Sequence, residues 1–136
     1  MFIVDAHQDI AYNYLSLGRD YRQSALEHRQ REAGSAPPAV LGLPDAMLGR
    51  VALIFSTLFV LPRRRDALPI VTRNTEAYDY ATPAEAHQKA LTQLDYYNKL
   101  ADEEPRLRLV RNQSELDAVL ARSEEHTSEL QSLTNL

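Results

Sequence analysis

A chain of 136 residues, 44% hydrophobic and 25% charged, has the make-up of an ordinary globular protein with one modest core. Its formal net charge of -4 offers no basic field, so neither nucleic acid nor an anionic membrane is expected as a partner. With no cysteine there are no disulfides and no thiolate metal sites, and any metal must be held by His, Asp or Glu.

The chain opens without a basic stretch leading into a long apolar run, so no secretory leader is expected. Its longest apolar run, residues 51–61, is broken by Ser56 and Thr57 and falls well short of the roughly 20 residues that cross a bilayer. A cytoplasmic location is the expectation.

In chain order, Phe2-Ile3-Val4 predicts a strand buried on both faces, because its residues are apolar without alternation. Asp5-Ala6-His7-Gln8-Asp9 follows at its C-terminal end. Residues 18–34 are rich in Arg, Gln and Glu, and Ser24-Ala25-Leu26-Glu27 favours a helix within a polar segment in which His28 is expected to be solvated. Gly, Ser and Pro make residues 34–38 a loop. Residues 43–48 predict one or two helical turns stopped by Gly49. Val51-Ala52-Leu53-Ile54-Phe55 is a second strand with room to run on to Val60. Residues 62–81 form a long irregular connection in which Arg63-Arg64-Arg65 is exposed; phosphate or nucleic-acid binding needs a wider basic field.

Thr82-Pro83-Ala84-Glu85 is a helix start, with Thr as N-cap, Pro at the first helical position and Glu closing a capping box. The helix should reach about Glu103, before Pro105, and bury a stripe of Ala90, Leu91, Leu94, Tyr97 and Ala101. His87 then sits on its surface, and Asp102, Glu103 and Glu104 form a solvated acidic end. The pairs Tyr78/Tyr80 and Tyr96/Tyr97 read as packing residues. Leu107-Arg108-Leu109-Val110 is a candidate strand, and residues 114–120 a helix with Leu116, Val119 and Leu120 on one side. Strand, connection, strand, long helix, strand, helix is the rhythm of an α/β protein with parallel strands.

The segment with chemical content is residues 5–9. Alternation along a strand lets His7 and Asp9 project the same way, and an imidazole beside a carboxylate makes half of a divalent-metal site. The C-terminal end of a strand is also where α/β barrels place their chemistry. A lone His-x-Asp triplet arises often by chance, and its bland alternative is a strand-end cap bonded to nearby backbone.

Phe2-Ile3-Val4-Asp5-Ala6-His7-Gln8-Asp9-Ile10 resembles the opening of the membrane dipeptidase family, zinc hydrolases of the amidohydrolase type. Leu48-Gly49-Arg50-Val51-Ala52-Leu53-Ile54-Phe55 is similar to that family's second strand, and residues 90–105 to the helix that follows. The resemblance covers residues 1–121, with chemistry in the first motif alone. It implies the N-terminal portion of a TIM-type (β/α)8 barrel and a dipeptide substrate. It further implies two zinc ions, a metal-bridged hydroxide as nucleophile, and His7 and Asp9 as the first two metal ligands. The family's bridging Glu and later His ligands come from strands further along. A complete barrel needs at least roughly 200 residues, so an incomplete barrel, inactive by itself, is expected. The alternatives are a fragment of another amidohydrolase-type hydrolase, or a small non-catalytic α/β interaction module.

Residues 122–136 stand apart. Arg122-Ser123-Glu124-Glu125-His126-Thr127-Ser128-Glu129-Leu130-Gln131-Ser132 lacks hydrophobic periodicity and is identical to the translation of a common sequencing adapter in one frame. The expectation is a native domain at 1–121 and a non-native, irregular tail at 122–136. His126 beside Glu124 and Glu125 is then no metal site, and without the tail the net charge falls from -4 to -2.

Overall fold

The computed structural model describes residues 3–32, 37–63 and 75–121. The adapter-like tail, Arg64, Arg65 and most of the predicted loop at 34–38 lie outside the described residues. The chain divides into two units, residues 1–104 and 105–136.

The first unit is mixed α/β. Its elements are β1 (Ile3–Gln8), α1 (Ile10–Leu17), α2 (Ala25–Arg31), α3 (Leu43–Leu48), β2 (Val51–Ser56), β3 (Leu61–Pro62), a 3-10 turn at Thr75–Ala77, β4 (Asp79–Tyr80) and α4 (Pro83–Glu103). β1 and β2 pair in parallel, with α1, α2 and α3 in the connection between them, and β3 pairs in parallel with β4. The described residues form these two small sheets, without a closed barrel.

Local chemistry accounts for the helix ends. Ser24 caps α2 in a complete capping box with Glu27, whose carboxyl is held below its usual range by the Ser24 backbone and hydroxyl hydrogen bonds. At α4 the Thr82 hydroxyl accepts from the Glu85 amide, but the Glu85 carboxylate reaches past Thr82 to the Ala81 N–H. α3 ends at Gly49 as predicted, yet the left-handed residue of that turn is Arg50, at φ 57°. Gly42, ahead of α3, allows a close approach, since a Cβ there would meet the Gln23 carbonyl at 2.1 Å.

Burial departs from the sequence expectation in several places. Ile3 and Val4 are 50% and 49% exposed and Phe55 is 59% exposed, so the β1–β2 pair is not a buried core. Among the described residues this sheet has two strands, and a parallel pair buries both faces only when further strands and layers flank it. β2 stops at Ser56 and does not run to Val60. His28 is buried, 2% exposed, contrary to its expected solvation. Its Nε2 lies 2.9 Å from the Asp20 carbonyl and its Nδ1 2.8 Å from the Arg31 guanidinium, partners that let a polar ring enter the interior.

The buried face of α4 is also rotated from the predicted stripe. Leu91 and Leu94 face outward, whereas Gln93, Tyr97 and Leu100 are buried. Gln93 wins its place because its amide reproduces a strand-like pairing with Phe59. Its Oε1 accepts from the Phe59 N–H at 2.7 Å and its Nε2 donates to the Phe59 carbonyl at 2.6 Å. Glu104 is buried too, while Glu103 stays exposed and pairs with Arg22 and Lys99. Tyr78 packs edge-on against Tyr12, Tyr14 stacks on Tyr96, and His87 is exposed.

In the second unit, residues 113–121 are helical, capped by Asn112, whose Oδ1 accepts from the Glu115 N–H at 3.0 Å. Residues 107–110 are not a strand. A short, mostly apolar segment becomes a strand only with a hydrogen-bonded neighbour, and the described residues of this unit supply none.

Candidate functional site

Parallel pairing puts the C-terminal ends of β1 and β2 side by side, and the polar residues 5–9 fall there. The register between the strands slips between Asp5 and Gln8: Asp5 stands opposite Ile54 and Gln8 opposite Ser56, three residues against two. This bulge breaks simple alternation at the strand end and re-aims its side chains.

Asp5 organises the bulge. Its Oδ1 accepts from the His7 backbone N–H at 3.0 Å and its Oδ2 from the Gln8 side chain at 2.8 Å. The Gln8 bond first, then the His7 amide, hold the Asp5 carboxyl below its usual range. Gln8 in turn accepts from the buried Tyr21 hydroxyl at 3.3 Å, and burial pushes that phenol up to about 12.

His7 and Asp9 come together. Nε2 of His7 lies 3.4 Å from Oδ1 of Asp9, with the imidazole side chain 69% exposed and the carboxylate 31%. They do not converge by strand alternation, because Asp9 lies beyond β1 at the N-cap of α1. An N-cap Asp ordinarily accepts from the helix's first amides. Asp9 makes no such bond; its Oδ1 accepts from the Thr57 hydroxyl across the strand pair. Its backbone carbonyl accepts from both the amide and the side chain of Asn13, at 3.0 and 2.9 Å, which fastens the first turn instead.

Thr57, just past β2, is itself fixed. Its N–H donates to the Gln8 carbonyl at 3.1 Å, and its carbonyl accepts from the Tyr97 hydroxyl at 2.9 Å. The same phenol oxygen accepts from the buried Ala11 N–H at 3.2 Å. Burial raises the Tyr97 pKa, so the phenol stays a neutral donor. Tyr97 therefore ties α4 to both the start of α1 and the end of β2.

Nothing in the sequence singles out Thr57 or Tyr97 as a site residue. A hydroxyl residue ending an apolar run was the only local signal for Thr57. Among the described residues no group of three or more His, Cys, Asp or Glu side chains converges; His7 and Asp9 stand as a pair. No helix of the described residues is long and apolar enough to cross a membrane. No family model, curated protein or solved structure matches the chain.

Proposed function

We propose that the chain carries the N-terminal part of a zinc-dependent dipeptidase barrel, with His7 and Asp9 as two of its metal ligands and no hydrolytic activity of its own. The observation that carries this reading is the convergence of an imidazole nitrogen and a carboxylate oxygen, 3.4 Å apart, at the C-terminal edge of a parallel strand pair. With zinc–ligand bonds of about 2.1 Å, the edge of a tetrahedral site is roughly 3.4 Å, so the donor pair fits the ion in spacing as in chemistry. The resemblance of residues 2–10 to the membrane dipeptidase family supports the choice of substrate.

In this reading His7 and Asp9 hold metal at the strand end. Asp5 pins the His7 backbone, and Thr57 orients Asp9. When bound, zinc supplies a nucleophilic oxygen at neutral pH and polarises the substrate carbonyl. The remaining ligands, a Glu and two His, are to come from strands beyond residue 121.

The test is to continue the coding sequence past residue 121 from the source genome and express the longer protein. We expect it to hydrolyse dipeptides, and to lose activity on chelation and in His7→Ala. A continuation without a Glu and two His at later strand ends would overturn the proposal, as would hydrolysis indifferent to chelator and to His7→Ala. Activity confined to lactones or phosphoesters would keep the metal and replace the substrate.

A further inference from the structure

We infer that Thr57 is a positioning residue for the metal half-site, an inference that rests on the reading of His7 and Asp9 as ligands. Asp9 has a local use for its carboxylate, capping α1, and does not make it. Its Oδ1 is instead shared between the Thr57 hydroxyl and the face turned to His7 Nε2. A carboxylate oxygen has two lone pairs, so the threonine bond leaves one for a cation while removing the freedom of the side chain to rotate toward the helix amides.

The donor is not loosely placed. Thr57 is held at its N–H by the Gln8 carbonyl and at its own carbonyl by Tyr97, on a backbone segment between β2 and the Gln93 clamp at Phe59. This is the arrangement by which an outer hydrogen-bond partner sets the angle of a ligating carboxylate. The hydroxyl also lies 3.3 Å from the Gln8 carbonyl, which offers a competing, merely structural role. The two roles differ in what the loss of the hydroxyl does to metal affinity.

The full chain is titrated with zinc chloride by calorimetry and with cobalt chloride by its visible absorption, alongside thermal unfolding of each variant. Thr57→Val is expected to weaken binding by about 10–100-fold, the usual cost of losing such a partner. Thr57→Ser should restore affinity, and unfolding temperatures should move little. Thr57→Ala provides a second deletion of the hydroxyl should the valine variant fail to fold. If Thr57→Val or Thr57→Ala binds metal as tightly as the unsubstituted chain, or if Thr57→Ser fails to restore it, the positioning role is overturned and the half-site reading stands. Should the unsubstituted chain bind no better than His7→Ala, both are overturned.

Discussion

In the helical layer connecting β1 to β2, charged and polar side chains are buried, whereas in the strand pair itself Ile3, Val4 and Phe55 face outward. Arg19 is enclosed by a bidentate bond to Glu32, with the Asn13 side chain and the Pro37 carbonyl taking its other donors. His28 is closed in by Asp20 and Arg31. Each of these groups finds its partners within about one helical hairpin of sequence, so their burial is complete inside this unit. An apolar strand has no such local remedy. Its stabilisation comes from neighbouring strands and a covering layer, which are long-range partners. The difference separates what a short segment can satisfy by itself from what requires more of a sheet.

The comparison can be broken most severely at the buried ion pair. Glu32→Ala strands the Arg19 guanidinium, whose side chain is only 10% exposed, and should cost about 3–5 kcal/mol in urea unfolding. A loss near zero would show that the layer is solvated after all. Next in size is Gln93→Leu, which leaves the Phe59 N–H and carbonyl without their partner and should cost about 1–3 kcal/mol. Faster amide exchange at Phe59 would localise the effect. The smallest change is expected on the strand pair, where Val4→Lys and Phe55→Lys should each stay within about 0.5 kcal/mol because roughly half of each residue is already exposed and a lysine stem can cover the rest. If either costs as much as Gln93→Leu, that sheet face is covered in solution. Reduced self-association of the lysine variants in sedimentation would sharpen the same point, since charges on an exposed strand oppose edge-to-edge pairing.

The His7–Asp9 pair shows a similar division between local and distant causes. That His7 and Asp9 belong together was legible from two residues of spacing, although alternation was the wrong mechanism. A bulge organised by Asp5, and an N-cap residue that turns away from its helix, bring them to 3.4 Å. The bond that holds Asp9 comes from Thr57, 48 residues away in the chain, and the phenol that holds Thr57 from Tyr97, 40 residues further on. Neither distance leaves a periodic trace in sequence. The α4 face illustrates why hydrophobicity misled. Leu91 and Leu94 were the apolar candidates, but the amide of Gln93 satisfies two backbone groups that no leucine can, and this turns the helix.

Sequence by itself determined the elements whose causes are local: the helix at Ser24-Ala25-Leu26-Glu27, the α4 start at Thr82-Pro83, and the end of α3 at Gly49. Hydrogen bonds within one turn and steric preferences within one residue are enough for these. Tertiary structure alone decided which polar groups go inside, which face of α4 is buried, and how Thr57 reaches Asp9. Those outcomes depend on hydrogen-bond partners supplied from remote segments, and only the folded chain brings donor and acceptor within reach.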